Sequence, residues 1–336
     1  MAKVEFLFLD RETVRSLLPD TRTLLRIVEG GLAAHGRREV VLPPKSHLVL
    51  DDRFNGHFNI LSGYVAPVGM AGVKVIGDYV DNFRVGLPSE IALLTLYDPR
   101  TGAPRALLDA TELTWLRTGA VTGIGARHLA RRDSRIVGHI GARGTAFGNL
   151  QALAGLFALQ EVRIASKRRE TREALAREVE DKLQIRARAV DTAEAACRDA
   201  DIVIEATRLE RPEVLIEDKW LKPGSLLVAY GWVMAVDPLT VATVGKRVVD
   251  DWEQCRKGGA LYPLIVSGVL RGEHIHAEIG QIVCGESTGR TNAAERILFW
   301  HRGFAISDIV LGSWIVDQAK RRRSGETLTL WDGLDE

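Results

Sequence analysis

IVGHIGARGTAFGNL, residues Ile136 to Leu150, is the stretch that decides the fold. An apolar run ends at Gly141, and a helix begins near Thr145. A strand that enters a glycine turn and leaves as a helix aims that helix's free amides at whatever the turn holds, and an anion suits them. In the dinucleotide fingerprint G-x-G-x-x-G/A the second glycine lets the backbone approach a pyrophosphate. Here that slot holds Arg143, and the next glycine, Gly144, comes one residue late. Gly141, Ala142, Arg143, Gly144 and Thr145 are therefore the candidate pyrophosphate residues. Arg143 either reaches out of the turn to clasp the phosphates or blocks it. Gly144 leaves one flexible position for the turn to re-register, which favours the first reading. A purely structural turn in a non-binding α/β domain would look similar.

Downstream the rhythm is strand, turn, helix, strand. The helix TAFGNLQALAGLFAL (145–159) is followed by a second strand, EVRIAS (161–166), and a second helix, RRETREALAREVEDKLQ (168–184). The strands DIVIEAT (201–207), SLLVAYG (225–231) and KRVVDD (246–251) follow. Such alternation implies a parallel sheet with crossover helices. An NAD site usually has an acid at the end of the second strand, to accept from the ribose hydroxyls. This chain has Ser166, Lys167 and Arg168 there, followed by Arg169. The hydroxyl and the cations suit a 2′-phosphate, so NADP(H) is preferred and NAD(H) possible. The competing reading is a helix start that is merely basic.

Upstream, short strand-like runs alternate with turns: EFLFL (5–9), VVLPP (40–44), VKVIG (73–77). IALLTLYDPRTGAPRALLDA (91–110) is a hairpin about a D-P-R-T-G turn. An antiparallel or mixed sheet is expected in this first third. TELTWLRTGAVTGIGARHLA (111–130) has helical spacing, with Leu113, Leu116, Ala120, Ile124 and Leu129 on one side and Thr111 placed to cap its start. Beyond Asp251 the chain reads as mainly helical, ending in RGFAISDIVLGSWIVDQAK (302–320). The expected fold class is α/β: a Rossmann-type parallel-sheet domain, residues 119–309, plus an α+β domain of residues 1–118 with 310–336.

A chain of 336 residues is comfortable for two domains, and its net charge of +1 gives no case for a nucleic-acid partner. The KRRR cluster at 320–323 reads as a solvated helix end. Cys197, Cys255 and Cys284 are scattered and in no metal spacing, as ordinary thiols in a reducing compartment would be. No apolar run is long enough for a membrane helix and the start carries no signal-peptide pattern, so a cytoplasmic protein is expected. HIHAE (274–278) would turn His274 and His276 to one side of a strand, but no third ligand is evident and no metal is expected.

LLDATELTWLRTGAVTG (107–123) resembles the ornithine cyclodeaminase/mu-crystallin family, through Asp109, Ala110, Thr111, Thr114, Arg117, Thr118 and Ala120. The likeness extends over nearly the whole chain. GVKVIGDYVDN (72–82) looks like the family's G-x-K segment, with Lys74 and Asn82, and LPPKSHLVL (42–50) like its P-x-R segment, with Lys45 in place of arginine. Ala206, Thr207 and Pro212 match the strand that ends in Ala-Thr, and Gly289, Arg290 and Asp308 match the C-terminal features. The resemblance implies a homodimer. It also implies a Rossmann domain for NAD(H) or NADP(H), with Thr118, Ala206, Thr207 and Gly231 among the cofactor residues, and a second domain that holds an amino or imino acid and dimerises.

On that footing Arg117 grips the substrate carboxylate in a bidentate fork. Lys45 adds a second cation. Lys74, buried beside other cations, has a lowered pKa and exchanges the proton on nitrogen. Each of these three, taken alone, would more commonly be a surface ion pair. Two departures bear on the reaction. The family's cyclodeaminases place an aspartate in the loop after SLLVAYG, where this chain has Val233, and the loop is about four residues short by the family's spacing, with Asp237 matching a later acid. Valine carries no proton, which favours hydride transfer to an imine over deamination with ring closure. Trp232 would narrow the pocket. His301 stands where a small hydroxyl residue is usual. It either replaces the missing acid as a catalytic group or packs as a histidine at a helix start. The expected activity is NAD(P)H-dependent reduction of a small imino acid or its reverse. A cyclodeaminase with recycled NAD and a non-catalytic NADPH-dependent binder are the alternatives.

Overall fold

A computed structural model of the chain describes residues 3–209 and 211–332. The chain divides into two compact units, Met1–Arg117 with Phe304–Glu336, and Thr118–Gly303. The return to the first unit falls at Phe304 rather than at residue 310. The physical reason is that Ala305–Arg322 is one continuous helix, packed against the Thr21–Gly36 helix of that unit.

The first unit is built on an eight-stranded mixed sheet. Its strands are β1 (Val4–Leu9), β2 (Val40–Val41), β3 (Ser46–Val49), β4 (Gly56–Val65), β5 (Met70–Tyr79), β6 (Glu90–Tyr97) and β7 (Pro104–Asp109), with a last strand at Glu326–Trp331. That last strand pairs antiparallel with β1, and β1 runs parallel to β7. The strand at 326–331 is not among the expected elements, although TLTLW alternates with a strand's period; it is mostly exposed. β6 and β7 form the expected hairpin, and Asp98 fixes its turn by accepting from the amide and guanidinium of Arg100. Side chains alternate across a strand. Lys74 and Ile76 of β5 and Ala92, Leu94 and Leu96 of β6 therefore face the covering helix and are buried, whereas Val75, Ile91 and Leu93 point outward and are exposed.

The second unit carries an all-parallel sheet: β8 (Ile136–Ile140), β9 (Glu161–Ala165), β10 (Arg186–Val190), β11 (Ile202–Glu205), β12 (Leu226–Ala229), β13 (Lys246–Val249), β14 (Ala277–Glu278) and β15 (Ile297–Trp300). The order is β10-β9-β8-β11-β12-β15-β13-β14. The strand order reverses between β8 and β11, which makes a switch point at their carboxyl ends, where doubly wound sheets bind ligands. Fully buried strands of this kind read as continuous apolar runs. The four residues ILFW (297–300) escaped the sequence reading because so short a run is indistinguishable from a buried helix turn.

The helix at Thr111–Leu129 forms as expected, with two differences. Thr111 is its first helical residue, and the hydroxyl donates to Asp109 Oδ2 at 3.0 Å and accepts from the Ala92 amide at 3.1 Å. It ties the helix to β6 instead of capping it. Residues 117–126 are all buried, so the helix is not one-sided. Its glycines allow this: a Cβ at Gly119 would run into the carbonyl of Gly148 in the Ala146–Ala154 helix. That second helix is shorter than its apolar pattern suggested and stops before Gly155. His274 ends a single 3-10 turn, off any strand, and β14 begins only at Ala277. The His274 ring accepts from the Arg271 amide and His276 bonds to the Thr288 carbonyl, so the two do not form a paired face.

Candidate functional site

In the second unit the turn after β8 closes around two glycines. Gly141 has φ +106° and donates its amide to the Ala165 carbonyl at 2.9 Å. A Cβ there would lie 2.5 Å from the Ala206 oxygen, so no larger residue fits. Gly144 has φ +57°, a left-handed conformation that glycine adopts without strain. Ala142 is half-buried. Arg143 is exposed, so its side chain does not fill the turn.

A buried polar chain holds this turn, and its members His139, Asn149 and Tyr230 are not among the residues expected from the sequence. His139 Nδ1 lies 2.8 Å from the Gly141 carbonyl, and its Nε2 lies 3.1 Å from Asn149 Nδ2. A carbonyl only accepts, so the His139 proton sits on Nδ1 and Nε2 accepts from Asn149. Burial pushes the His139 pKa down to about 4, which keeps the ring neutral in that tautomer. Asn149 also donates to Tyr230 Oη at 2.6 Å, and Thr145 Oγ1 lies 2.6 Å from the same oxygen. Because the Thr145 hydroxyl engages Tyr230 rather than its own helix, the first amides of the Ala146–Ala154 helix have no side-chain cap. The Ala146 amide donates to the Arg143 carbonyl at 3.2 Å, and the amides that follow it are the ones suited to an anion.

Tyr230 stacks on His301, with ring centroids 4.6 Å apart and planes at 27°. His301 is almost wholly buried, and its Nε2 lies 3.1 Å from Thr122 Oγ1. Phe299 packs on the same ring. Thr118 is buried in this unit, and Trp232 is largely exposed with the Arg302 guanidinium 6.0 Å from its ring.

Glu205, at the end of β11, is the second omission. Its carboxylate accepts from the Thr207 amide at 2.8 Å, from the Thr207 hydroxyl, and from the Gly231 amide at 3.1 Å. Thus the donors of Thr207 and Gly231, expected at a cofactor, are held by this buried acid. Burial pushes Glu205 above the usual carboxylate range. The signal was present as an acid inside the apolar run DIVIEAT, since a buried charge demands partners. Ala206 donates its amide to the Ile140 carbonyl at 2.9 Å and so seats β11 beside the turn. After β9, Lys167 and Arg168 are exposed, and Ser166 Oγ donates to the Arg168 carbonyl at 3.0 Å. Asp237 caps the Pro238–Thr243 helix by accepting from the Leu239 amide, a structural task.

The first unit gathers the cations. Lys74 Nζ donates to Asp308 Oδ1 at 2.9 Å and to Thr114 Oγ1 at 3.1 Å. Arg117 Nε donates to the same Asp308 Oδ1 at 2.9 Å. Lys74 and Asp308 have no exposed surface, and Arg117 is 6% exposed. Burial, then the Arg117 charge, lowers the Lys74 pKa to about 8 against the pull of Asp308. Among the described residues the two Nη groups of Arg117 have no hydrogen-bond partner, so the fork of the guanidinium is open. Glu90 accepts from Trp115 Nε1 at 2.7 Å, and burial raises its pKa. Lys45 is half-buried in the segment between β2 and β3. The structure brings Lys74 and Arg117 together on one carboxylate, a meeting across 43 and 191 residues of sequence that only the fold could make.

The sequence matches the ornithine cyclodeaminase/mu-crystallin family over residues 5–323. The chain belongs to that family. Alanine dehydrogenase of Archaeoglobus fulgidus is 31% identical over 331 residues, 97% of this chain and 98% of its own. The Δ1-pyrroline-2-carboxylate reductase of Thermococcus litoralis, solved with NADH and L-proline, superposes with a TM-score of 0.89 at 30% identity, covering 96% of this chain and 99% of that one. An archaeal alanine dehydrogenase dimer with bound NAD gives 0.90 at 30% identity, covering 97% and 100%. The family fold of these relatives, a Rossmann-type parallel sheet with an antiparallel-sheet domain, is the fold described above. Other relatives are named N-((2S)-2-amino-2-carboxyethyl)-L-glutamate dehydrogenase and Δ1-pyrroline-2-carboxylate reductase, and the two solved relatives above hold NADH or NAD. Among the described residues no helix is long and apolar enough to cross a membrane.

Proposed function

We propose that this chain is an NAD(P)H-dependent reductase of a small imino acid, a ketimine or a cyclic imine such as pyrroline-2-carboxylate, or runs the reverse amino-acid dehydrogenation. The observation that carries the reading is the Lys74–Asp308–Arg117 cluster: a buried lysine that titrates near neutrality beside a guanidinium with an open fork. The fork of Arg117 takes the substrate carboxylate, with Lys45 as the second cation. Lys74 gives a proton to the nitrogen as the α-carbon accepts hydride, and takes it back in the reverse direction. The dinucleotide, when bound, supplies or accepts that hydride. Gly141, Ala142 and Gly144 and the uncapped amides after Thr145 receive its pyrophosphate, with Arg143 free to reach it from outside, and Thr118, Ala206, Thr207 and Gly231 shape the rest. Lys167, Arg168 and Ser166 favour NADP(H) over NAD(H), because no acid stands there to repel a 2′-phosphate. His301 is assigned to holding Tyr230 rather than to proton transfer, given its bond to Thr122 and its stack.

The exposed apolar residues Leu48, Val75, Ile91 and Leu93 on the outer face of β3, β5 and β6 form a surface suited to a second copy of the chain. One solved relative is a dimer. We take the chain to be a homodimer through this face, at work in the cytoplasm.

The test is oxidation of NADPH and NADH, followed by loss of reduced-nicotinamide absorbance. The panel is pyrroline-2-carboxylate, piperideine-2-carboxylate, and 2-keto acids with ammonia or methylamine. Turnover with NADPH above NADH is expected. Ammonia release from ornithine with no net cofactor change would establish the cyclodeaminase alternative. Cofactor binding without turnover of any substrate would establish the binding protein.

A further inference from the structure

Asp308 has an unusual burden. One of its oxygens, Oδ1, takes both Lys74 Nζ and Arg117 Nε, each at 2.9 Å. The other, Oδ2, is buried and has no hydrogen-bond partner among the described residues. An orphaned buried carboxylate oxygen is costly, and a site built for stability would share the two cations between the two oxygens. Two cations on one anion leave the buried cluster with an excess positive charge whenever Lys74 is protonated. That excess suits one incoming carboxylate.

We propose that Asp308 is a positioning residue: through its single shared oxygen it fixes Lys74 and Arg117 in register and sets how readily Lys74 releases its proton. The proposal rests on the reductase reading for its purpose but not for its test. The groups that face Lys74 define the balance. Leu61 of β4 and Leu94 of β6 lie opposite it in the sheet and carry no charge. Arg117, from the Thr111–Leu129 helix, repels its charge, and Asp308, from the Ala305–Arg322 helix, holds it. Glu90 of β6 adds a weaker attraction and is itself coupled to Asp78, which lies 4.0 Å from His57. Thr114 is a neutral acceptor, turned by its own bond to the Ala110 carbonyl. Of these groups Asp308 is the largest that favours the charged lysine, and it is the one bonded to both cations.

Removing the Asp308 charge and removing the Arg117 charge therefore act in opposite directions on Lys74. The experiment is a pH titration of the full-length protein, with selectively labelled lysine side chains observed by NMR and the Lys74 resonance assigned by its loss in Lys74→Arg. Asp308→Asn is expected to lower the Lys74 midpoint by about one pH unit or more, a roughly tenfold loss of proton affinity, and Arg117→Gln to raise it by a similar amount. In the wild-type protein Lys74 is expected to titrate at about 8, below the ordinary lysine value. If Asp308→Asn does not fold, Arg117→Gln and the wild-type titration still decide. A midpoint unmoved in either folded variant, or moved the other way, overturns the proposal. In parallel, the alkaline limb of kcat/KM for imine reduction should shift with the midpoint, whereas a merely structural loss would lower activity at all pH values alike. Should the protein reduce no imine, the reductase reading fails and the titration still tests Asp308.

Discussion

Lys74 occupies a position that alternation alone makes a core position, between Gly72 and Ile76 on the inward face of β5. A lysine there is dehydrated, and dehydration lowers its pKa toward the range that proton transfer needs. The sign of the pH dependence follows. In the reductive direction Lys74 must enter each cycle protonated, so kcat/KM is expected to hold below its pKa of about 8 and to fall as the pH rises through it. In the oxidative direction the neutral amine is the active form, and the rate should rise toward the same midpoint. Lys74→Met should lower kcat by roughly 10²- to 10⁴-fold, the range of general acid–base catalysis, with NADPH affinity retained on fluorescence titration. Arg117→Lys should act mainly on KM, raising it about tenfold or more, because a point charge cannot replace a bidentate fork. His301→Ala should lower Tm while leaving the pH profile in place; a lost limb in the profile would return His301 to the chemistry.

Between elements, the Thr111–Leu129 helix comes close to the Ala146–Ala154 helix, where a Cβ on Gly119 would lie 2.3 Å from the backbone of Gly148. Gly119→Ala forces the second helix away and should destabilise the protein by about 1–3 kcal/mol, as overpacking does. That helix presents its N-terminal amides to the cofactor turn, so dinucleotide affinity should weaken along with Tm, both measurable by thermal shift with and without NADPH. The turn itself was legible in sequence, because strand, glycine and helix follow one another along the chain. What supports it was not. His139, Asn149 and Tyr230 belong to three different elements, and nothing in a linear pattern links a histidine inside a strand to a tyrosine 91 positions later. Glu205 is intermediate: the acid is visible in an apolar run, but its partners Thr207 and Gly231 become evident only once β11 and β12 are paired. The amphipathic reading of the Thr111–Leu129 helix failed for a related reason. Its glycines and alanines carry little periodic signal, yet they are what lets every side be covered.

At the scale of the whole molecule, two sheets of different character share one chain. The parallel sheet announces itself through apolar runs and βαβ rhythm. The mixed sheet is legible mainly through its hairpin, whereas its closing strand at 326–331 alternates in sequence but pairs with β1, at the other end of the chain. The outward face of the mixed sheet keeps Val75 beside Leu93 across a strand pair, with Ile91 next in line. Leu93→Glu puts a charge at the centre of this apolar surface and, if the proposed dimer forms through it, should leave a monomer in light scattering coupled to gel filtration, with the fold retained by circular dichroism. A variant that stays dimeric would place the dimer contact on another face.

The central claim is hydride transfer to the α-carbon of an imino acid. The most direct measurement uses NADPH deuterated at C4 on each face in turn, with the best imine of the panel, and mass spectrometry of the amino-acid product. One deuterium is expected on the α-carbon from one of the two labelled cofactors and none from the other. Product that carries no deuterium from either, or cofactor that keeps its label while ammonia is released, would contradict it.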